Sequence, residues 1–493
     1  MRLRAMLEGS AVGPVPDLEV TGLQYDSRKL LAGEAFFAFP GEQVDGHQFV
    51  PAAFRDGAAA IVSERSAPEG MESRWARVSH GRRSLATAAL RFYERPDRDV
   101  SVTAVTGTNG KTSTVHLLDA LLRSVGKTTA LLGTIEQRIG ERVAKSINTT
   151  PESLDIVRSL AKLREIGGSH ATIEASSHAL ALSRIYGIEF HTAVFTNLSR
   201  EHLDFHGDME SYAAAKRCLF LGAGARPPLN AVINADDKAG RELLKLEGLR
   251  LLSYGRLPEA CVRASNVQSD ARGVRFNVNS PAGRIRVESN LMGDFNVDNI
   301  LAAVGAAQCH GLGAAEIEAG LMAVPPAPGR FETVDCGQPF LVVVDYAHTP
   351  DALHRSIEAA RDIVRRKDPP GRVLTLFGCG GDRDRTKRAP MGNIAGKLSD
   401  FVMLTSDNPR SEDPLEIIQE VAAGLRQASD AWTVHPDRAE AIKGVLYEAR
   451  CRDIVLIAGK GHETTQTTRQ GTLPFDDRKA VRAALHEKGY FRA

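Results

Sequence analysis

Residues 100–113 read VSVTAVTGTNGKTS, and this stretch decides the fold of the segment around it. The apolar, β-branched run at 100–105 predicts a buried strand, and a helical pattern follows over about residues 112–124. Glycines between a strand and a helix let successive backbone N–H groups converge on phosphate oxygens, to which the helix N-terminus adds partial positive charge. The stretch therefore predicts a phosphate-binding loop at the carboxyl end of a parallel strand.

The side chains of this loop predict how a nucleoside triphosphate is held. We expect Lys111 to reach the terminal phosphates and the Thr112 hydroxyl to bind Mg²⁺. The common phosphate loop has another glycine five residues before Gly110, where this chain has Val105. A glycine-rich turn that binds nothing is the alternative, but Gly-Lys-Thr in this setting has no packing role. The predicted nucleotide-binding residues of the loop are Gly107, Thr108, Asn109, Gly110, Lys111, Thr112 and Ser113.

Four later segments repeat the pattern of a short apolar run, a turn and a helical stretch. They are residues 341–344, 373–377, 401–404 and 454–457. Runs of this kind are typical of buried parallel strands with crossover helices, so the later parts of the chain are predicted to be α/β. Ligands of parallel sheets bind outside the carboxyl ends of the strands, and most of the unusual polar residues of this chain lie in those loops.

The length of 493 residues requires more than one hydrophobic core, because a single core stops growing beyond about 250–300 residues. A polar stretch with a proline at 94–99 and a proline-rich stretch at 325–330 interrupt the periodic patterns. We predict three α/β domains, at residues 1–99, 100–333 and 334–493. The central domain is expected to be a P-loop-type ATPase domain with a mostly parallel sheet, and the third domain to be Rossmann-like.

The composition excludes several classes of protein. Lysine and arginine number 62 against 61 aspartate and glutamate, so no overall field favours nucleic acid or an anionic membrane. The 6 cysteines are scattered without a CxxC pair, which argues for a reducing compartment and against a disulfide framework or zinc ribbon. No apolar run reaches about 18 residues and no signal peptide is recognised. A cytoplasmic protein without a membrane span is expected, as a monomer.

The string at 106–113 resembles the nucleotide loop of the Mur ligases and of their relative folylpolyglutamate synthetase. The resemblance spans essentially the whole chain. It implies an ATP-dependent, ADP-forming ligase that makes an acyl phosphate from a carboxylate, lets an amine displace the phosphate, and builds peptidoglycan precursors. Four further strings fit the family in order: NTTP at 148–151, IEASSH at 173–178, TNLSREHLD at 196–204 and YAAAK at 212–216.

Three of these strings carry side chains suited to metal-assisted phosphoryl transfer, which needs divalent cations to neutralise developing charge. Glu174 is a hard oxygen ligand for Mg²⁺, and His202 is a softer ligand for a second metal. The resemblance implies that CO₂ carbamylates Lys216 into a carboxylate-like anion. Taken singly, Lys216 fits a solvated helix lysine and His202 a surface or core histidine. The predicted catalytic residues are Lys111, Glu174, His202 and Lys216, and the predicted metal ligands are Thr112, Glu174, His202 and the Lys216 carbamate.

The N-terminal segment resembles the uridine-binding domain of the branch that adds the third residue of the stem peptide. The resemblance implies a UDP-N-acetylmuramoyl-dipeptide substrate. A turn and a capping serine are the plain alternatives for this segment. The family has a glutamine two residues before Arg184, where this chain has Leu182. The implied contacts to this substrate are Tyr25, Ser27, Glu42, Gln43, Val44, Asn148, Thr149, Thr150, Ser176, Leu182 and Arg184.

Three residues further along the chain resemble contacts that complete the ATP site. The family resemblance assigns Asn299 and Arg330 to adenine and phosphate, although a loop amide or N-cap is the alternative for Asn299. Asp345 ends a predicted strand and could accept hydrogen bonds from the ribose hydroxyls. Because Arg330 lies beside the proposed hinge, closure of the third domain is expected to complete the site.

Loops at three predicted strand ends of the third domain suggest an amino-acid pocket. The sequence DNPR at 407–410, followed by GKGHE at 459–463, resembles the version that accepts meso-diaminopimelate. We expect Arg410 to bind the distal carboxylate, unless it merely pairs with Glu412 or Asp413 on the surface. Arg383 would help to hold the acceptor, and Glu463 would bind its distal ammonium group with the Gly459 backbone. The predicted acceptor residues are Arg383, Asp407, Asn408, Pro409, Arg410, Gly459 and Glu463.

Three alternatives remain open from the sequence. The same ligase with L-lysine as acceptor would not need Arg410. A folylpolyglutamate synthetase is disfavoured by the domain that precedes the phosphate loop. A non-catalytic nucleotide-binding scaffold could keep the loop, but it would not need Glu174, His202 and the acceptor loops together.

Overall fold

The computed structural model describes residues 1–41, 44–366 and 368–491. In these ranges the strands form three large sheets and one two-stranded hairpin. Apolar clusters cover both faces of the central and third sheets, as expected for parallel strands that are buried on both sides. Among the described residues, every helix is too short or too polar to span a lipid bilayer.

The first sheet has four parallel strands in sequential order. Its inner strands, with the sequences AFFA and AIVS, are buried throughout. The elements in this region are α1 (Leu3–Met6), β1 (Leu23–Gln24), β2 (Ala35–Ala38), α2 (Val50–Arg55), β3 (Ala60–Ser63), β4 (Trp75–Arg77) and α3 (Gly81–Phe92).

The second sheet has eleven strands, and its middle is parallel while both flanks are antiparallel. Its elements are β5 (Ser101–Thr106), α4 (Lys111–Ser124), β6 (Thr129–Leu132), β7 (Glu136–Ile139), β8 (Arg142–Lys145), α5 (Ser153–Glu165), β9 (His170–Glu174), α6 (Ser177–Ala181), β10 (Thr192–Phe195), α7 (Leu203–His206), α8 (Met209–Arg217), β11 (Asn230–Asn234), α9 (Lys238–Leu243), β12 (Arg250–Gly255), β13 (Val262–Asp270), β14 (Gly273–Ser280), β15 (Gly283–Ser289), α10 (Phe295–Cys309) and α11 (Ala314–Met322).

Strand β5 lies in the parallel middle of this sheet, between β10 and β9. All three strands run in the same direction, so their carboxyl ends meet at one edge. The phosphate loop after β5, the carboxylate that ends β9 and the polar segment after β10 are thereby brought together. The alternating burial of β13, β14 and β15 fits an antiparallel flank with one face toward solvent.

The third sheet has the order β16-β17-β21-β18-β19-β20, and only its edge strand β16 is antiparallel within the described ranges. The elements of this region are β16 (Glu332–Thr333), β17 (Leu341–Asp345), α12 (Pro350–Arg365), β18 (Val373–Phe377), α13 (Arg388–Leu398), β19 (Phe401–Leu404), α14 (Pro414–Leu425), β20 (Trp432–Val434), α15 (Arg438–Glu448), β21 (Ile454–Ala458), β22 (Thr465–Thr468), β23 (Gly471–Pro474) and α16 (Asp477–Glu487).

These sheets confirm the predicted α/β class with mostly parallel strands. The predicted runs at 100–105, 341–344, 373–377, 401–404 and 454–457 appear as β5, β17, β18, β19 and β21, with ends within one residue. Helix starts follow local capping rules: the Thr349 side chain accepts from Ala352 N–H, with Pro350 in the first turn of α12. The domain boundaries near residues 99 and 333 stay predictions.

Candidate active site

The nucleotide loop is fixed by the segment that follows β10. The Thr108 N–H donates to Asn197 O at 2.8 Å, and the Asn109 N–H donates to Asn197 Oδ1 at 2.9 Å. Gly110 has a φ of 87°, and a Cβ there would collide with Asn299 Oδ1. The loop conformation therefore requires glycine at this position.

Lys111 is turned back into its own loop. Its Nζ donates to Gly107 O at 2.9 Å and to Thr108 O at 2.8 Å. Burial lowers the pKa of Lys111 below its ordinary value. A half-buried cation at the N-terminus of α4 is suited to an anionic ligand that would replace these carbonyl contacts.

Glu174, at the end of β9, is fully buried beside this loop. Its Oε2 accepts from Thr112 Oγ1 at 2.9 Å and from Thr134 Oγ1 at 3.0 Å, and its Oε1 accepts from the Thr134 N–H at 2.7 Å. A buried carboxylate held by neutral donors next to a hydroxyl is a suitable set of hard oxygen ligands for Mg²⁺.

A cavity of about 230 Å³ opens over the loop and Glu174, between the second and third sheets. It gathers most of the residues predicted to bind nucleotide or metal. Gly107 and Lys216 do not line it. The predicted site residues in its lining are Thr108, Asn109, Gly110, Lys111, Thr112, Ser113, Thr149, Glu174, Ser176, His202, Asn299, Arg330 and Asp345.

The region of the third sheet reaches into this cavity from the opposite side. Arg330 Nη2 donates to Thr112 Oγ1 at 2.9 Å, and its guanidinium lies 4.7 Å from the centre of the Tyr346 ring. The Asn109 amide donates to Asp351 Oδ2 at 2.7 Å, which adds a second contact to the loop. The nucleotide cavity is therefore closed by residues on both sides of residue 333.

Two predicted nucleotide contacts are already engaged within the protein. Asp345 Oδ2 accepts from the Phe331 N–H at 2.7 Å, and its Oδ1 accepts from Ser356 Oγ at 2.8 Å. Asn299 Nδ2 donates to Asn296 Oδ1 at 2.9 Å. Asp345 thus fastens the chain beside Arg330 as well as facing the cavity.

Lys216 lies beneath the phosphate loop, with 2% of its surface exposed. Its Nζ donates to Gly107 O at 2.8 Å and lies 4.5 Å from the centre of the Tyr212 ring. Burial, with a further contribution from Lys111, lowers the pKa of Lys216 well below its ordinary value. The solvated helix lysine is therefore the wrong interpretation of this residue.

His202 stands at the start of α7 with a φ of 56°, in the left-handed region. Its Nε2 lies 3.7 Å from Glu201 Oε1, and burial lowers its pKa to about 4. His348 Nε2 approaches the same Glu201 oxygen at 3.6 Å, while its Nδ1–H donates to Tyr346 O at 2.8 Å. Within the described ranges, no three His, Cys, Asp or Glu side chains are grouped closely enough to hold a metal ion.

A second cavity, of about 260 Å³, lies among the carboxyl-end loops of the third sheet. It shares Glu201, His202, Tyr346 and His348 with the nucleotide cavity, so the two spaces meet there. The predicted acceptor residues in its lining are Arg383, Asp407, Asn408, Arg410, Gly459 and Glu463, whereas Pro409 does not line it.

Arg410 is directed into the protein and does not form the surface pairs considered above. Its Nη1 donates to Gly381 O at 2.6 Å, while Glu412 pairs with Arg388 at 2.9 Å. Burial and the nearby Arg383 cation lower the pKa of Arg410. Two guanidinium groups close together in a pocket favour an anionic ligand.

The other acceptor loop is tied to the DNPR segment by a buried lysine. Lys460 is fully buried, and its Nζ donates to Glu463 Oε2 at 2.8 Å and to Asn408 Oδ1 at 3.0 Å. Asn408 Nδ2 donates to the same Glu463 oxygen at 2.8 Å. Glu463 therefore meets a ligand with one oxygen already held.

The loop at 148–150 is anchored beside Glu174. Thr150 Oγ1 donates to Glu174 O at 2.6 Å and accepts from the Ser176 N–H at 3.1 Å. Arg184 Nη1 donates to Thr150 O at 3.2 Å, and its Nε lies 3.6 Å from Glu152. Thr150, Ser176 and Arg184 thus form one connected group at the end of β9.

The remaining predicted sugar contacts are more dispersed. Tyr25 Oη donates to Asp155 Oδ2 at 2.6 Å, which joins the first region to α5. Asn148 and Val44 are exposed, while Ser27 and Leu182 are half-buried; these four line neither cavity. Glu42 and Gln43 lie outside the described residues.

Sequence reasoning missed several residues at the junction of the two cavities. Glu201 precedes His202 in a string singled out for its histidine, and His348 lies three residues after Asp345. A carboxylate beside a proposed metal ligand was the available signal for Glu201. No local signal marks Lys460, because its partners come from another loop.

Comparison with known families decides what this arrangement belongs to. Three domains of the Mur ligase family match the chain in order. They are the Mur ligase family catalytic domain at residues 19–93, the Mur ligase middle domain at 105–307 and the Mur ligase glutamate ligase domain at 329–461. The chain belongs to the Mur ligase family. The predicted Mur ligase resemblance and the predicted ATP-dependent ligase activity are therefore confirmed.

Individual Mur ligases resemble the chain over nearly its full length. A UDP-N-acetylmuramoyl-L-alanyl-D-glutamate–2,6-diaminopimelate ligase from Solibacter usitatus is 52% identical over 472 residues, covering 96% of this chain and 94% of the relative. The ligase of the same name from Geobacillus kaustophilus is 42% identical, covering 96% of each chain.

Solved Mur ligase structures agree with the three-sheet arrangement. A structure titled as a UDP-N-acetylmuramoyl-L-alanyl-D-glutamate–2,6-diaminopimelate ligase superposes with a TM-score of 0.70 and 33% identity, covering 99% of both chains. MurF from Acinetobacter baumannii has a TM-score of 0.68 at 20% identity, covering 98% of both chains, which shows a shared fold. The predicted three-domain α/β class is confirmed.

Proposed function

We propose that the chain joins meso-2,6-diaminopimelate to the D-glutamate carboxylate of UDP-N-acetylmuramoyl-L-alanyl-D-glutamate, with conversion of ATP to ADP and phosphate. The observation that carries this proposal is the junction, at Glu201, His202 and His348, of the nucleotide cavity with the second cavity. An acyl phosphate made in the first space can be attacked by an amine held in the second. Relatives named for this reaction support the choice of substrates.

The nucleotide cavity supplies the phosphate-binding groups. We assign Lys111 and the N–H groups of the loop to the terminal phosphates, and Arg330 to charge that develops during transfer. Asn299 and Asp345 remain the proposed contacts to the nucleoside. Thr112, Glu174 and His202 would hold Mg²⁺ together with Lys216 as a carbamate. The bound metal would neutralise phosphate charge.

Lys216 is proposed to react with CO₂. A carbamate forms when a neutral amine attacks CO₂ and loses a proton, and the lowered pKa of Lys216 favours that neutral amine. The product is an anion beneath the phosphate loop, where the ammonium form would lie close to the cationic Lys111. This role rests on the family resemblance together with the burial of the side chain.

The donor substrate is proposed to lie along the connected group formed by Thr150, Ser176 and Arg184. Arg184 and the loop at 148–150 would hold the anionic muramoyl-peptide, with its free carboxylate toward Glu174 and the loop. The UDP group would extend toward Tyr25 and Ser27 in the first region. Glu42, Gln43, Val44, Asn148, Thr149 and Leu182 stay predicted contacts to this substrate.

The acceptor is proposed to lie in the second cavity. Arg410 and Arg383 would bind carboxylates of diaminopimelate. Glu463 and the Gly459 backbone would bind its distal ammonium group. Asp407 and Asn408 are the further proposed contacts to the acceptor. Lysine would leave the half-buried Arg410 guanidinium without the carboxylate that diaminopimelate offers, which disfavours lysine as the acceptor. ATP and the UDP-muramoyl-dipeptide are both cytoplasmic metabolites, so the cytoplasm stays the expected compartment.

The proposed reaction has two chemical steps. A carboxylate oxygen of the donor attacks the γ-phosphorus of ATP, and ADP leaves. The acceptor nitrogen attacks the acyl carbon, phosphate leaves, and the nitrogen loses a proton to give the amide. Lys111 and Arg330 stabilise charge in the first step, while the second cavity fixes the amine within reach of the acyl phosphate.

Phosphate release tests this function. With ATP and Mg²⁺, we expect release only when both the UDP-muramoyl-dipeptide and meso-diaminopimelate are present, with one product amide per phosphate. Release that needs neither substrate, or that follows a folate and glutamate, would contradict the proposal. Omission of each substrate in turn provides the control.

A further inference from the structure

A fully buried ion pair lies behind the acceptor pocket. Arg438, the first residue of α15, and Asp477, the first residue of α16, each have 0% of the side chain exposed. Arg438 Nε donates to Asp477 Oδ1 and its Nη2 donates to Oδ2, both at 2.7 Å. Burial lowers and Asp477 raises the pKa of Arg438, with a net rise.

The same guanidinium bridges two strand ends. Its Nη1 donates to Ser406 O at 3.3 Å, and its Nη2 donates to Ala458 O at 3.0 Å. Ser406 immediately precedes Asp407, and Ala458 immediately precedes Gly459. Strand β18 separates the two strands that carry these residues, so the contacts join loops that the strand ladder does not connect directly.

A buried ion pair is weak evidence for a stabilising role, because the cost of desolvating both charges often equals or exceeds their attraction. A planar guanidinium does fix geometry, since its donors are set at defined angles. Here Nε and Nη2 donate to the Asp477 carboxylate, while Nη1 and Nη2 donate to the backbone carbonyls of Ser406 and Ala458. These contacts span the gap between the Asp407 and Gly459 loops, in addition to the bonds that Lys460 and Asn408 form across it.

We propose that Arg438 and Asp477 form a positioning pair that sets the separation of the two acceptor loops and thereby the affinity and selectivity for the amine substrate. Neither side chain lines the acceptor cavity, so the pair acts through the Ser406 and Ala458 carbonyls. This inference rests on the proposed function only in taking those loops as the acceptor site.

Arg438→Lys and Asp477→Asn test the pair. Lysine keeps the positive charge of Arg438 but lacks the planar guanidinium that contacts two carbonyls and a carboxylate at once. Asparagine keeps the size of Asp477 but removes its negative charge. We expect each variant to raise the KM for the acceptor about tenfold, because misplaced binding groups lose much of their effect. The KM for ATP should stay within about twofold, and the preference for diaminopimelate over lysine should fall.

The chain offers a matched control at the other end of the same sheet. Arg372 Nη2 lies 2.7 Å from Asp453 Oδ2, with Asp453 4% exposed, at the amino ends of β18 and β21. Asp453→Asn breaks an Arg–Asp pair away from the acceptor loops, in which the arginine side chain is 34% exposed. It should lower the Tm without changing the KM for the acceptor.

The outcomes separate positioning from plain stability. The proposal is overturned if the folded variants keep the parent KM for the acceptor, if the KM values for ATP and acceptor rise equally, or if Asp453→Asn has the same effect. If Arg438→Lys does not fold, Asp477→Asn carries the test, and failure of both to fold assigns the pair to stability. If the parent uses a different amine, the proposed function fails, and the same comparison with that amine still tests the pair.

Discussion

Arg330 Nη2 donates to Thr112 Oγ1 at 2.9 Å, which joins the hinge before the third sheet to the nucleotide loop of the second. Thr112 Oγ1 in turn donates to Glu174 Oε2. One hydroxyl therefore links the arginine proposed for phosphate to the carboxylate proposed for Mg²⁺. An ATP phosphate bound by Arg330 and Thr112 would replace these contacts, so we expect ATP binding to depend on Arg330.

Replacing Arg330 tests this coupling. We expect Arg330→Ala to raise the KM for ATP and lower kcat, each about tenfold or more, because a charge-assisted contact to phosphate is lost. Arg330→Lys should recover part of the loss by retaining the charge. Measurement of phosphate release against ATP concentration distinguishes the variants, and parent-like kinetics for Arg330→Ala would contradict the assignment.

Removal of the Lys111 ammonium tests the phosphate loop itself. Lys111→Ala should lower kcat by about 10³-fold or more, because the ammonium group proposed to contact the terminal phosphates is lost. The Tm should not fall sharply, since its contacts are to the carbonyls of Gly107 and Thr108 and its burial disfavours the charge. Near-normal phosphate release by the folded variant is the contrary result.

Lys216 gives a prediction about CO₂ and pH. Because burial lowers the pKa of Lys216, the neutral amine that carbamylation needs is more populated than for an exposed lysine, and acid reverses the reaction by protonating the nitrogen. Activity should therefore fall after removal of CO₂ at mildly acidic pH and return with bicarbonate. Lys216→Ala should be nearly inactive and partly rescued by small carboxylic acids.

The exposed Lys245, which pairs with Glu242, provides the control for this test. Lys245→Ala should keep the parent rate and the parent response to CO₂. An intact-mass measurement under CO₂ that shows no added carboxyl group, together with CO₂-independent turnover, would contradict the carbamate.

Three histidines at the amino-end edge of the second sheet predict acid sensitivity. The His310 ring stacks on His191 with centroids 4.5 Å apart and meets His170 at 5.0 Å. Burial lowers the pKa of His310 to about 3 and that of His170 to about 4, and it also lowers the pKa of His191. The unfolded chain therefore binds more protons below the ordinary histidine pKa, and stability is lost as pH falls from about 6.5 toward 4.

His310→Gln tests the sign of this effect. The Tm of the variant should fall less than that of the parent between about pH 7 and pH 4.5, because one site for differential proton binding is removed. His354→Gln, at a partly exposed position on α12, should retain the parent slope. An equal or steeper fall for His310→Gln would contradict the account.

The sequence predicted the parts of this enzyme that depend on local order. A β-branched run, a glycine turn and a helical pattern of apolar residues are encoded next to one another, so β5, the loop and α4 could be located before the structure. The left-handed conformation of Arg410, with a φ of 54°, could not be foreseen, because it depends on contacts with the β22–β23 hairpin. A non-glycine residue in that region costs about 1–3 kcal/mol, and neighbouring structure must hold it there.

The supporting residues were harder to predict than the residues they support. Lys460 appears in a glycine turn that suggests an exposed cation, yet it is buried against Asn408 and Glu463. Arg438 begins a helix and gives no local signal of its contacts with β19 and β21. Both roles arise from tertiary pairing between distant segments, which periodicity and motif spacing do not encode.

Acceptor choice is the central claim, and it rests on Arg410. Arg410 Nη1 donates to Gly381 O and Arg383 lies nearby, so two guanidinium groups line the same pocket. A carboxylate on the distal carbon of diaminopimelate would receive charge-assisted hydrogen bonds from this group, each contributing about 1.5–3 kcal/mol.

The most direct measurement compares rates of amide formation with meso-diaminopimelate and with L-lysine for the parent and for Arg410→Ala. The parent should prefer diaminopimelate by up to about 10⁴-fold in kcat/KM, because lysine lacks the carboxylate that would pair with the Arg410 guanidinium. Arg410→Ala should lower use of diaminopimelate at least about 10- to 100-fold and erase most of the preference, with the KM for ATP unchanged. A parent that prefers lysine, or a variant that keeps the full preference for diaminopimelate, would contradict the account.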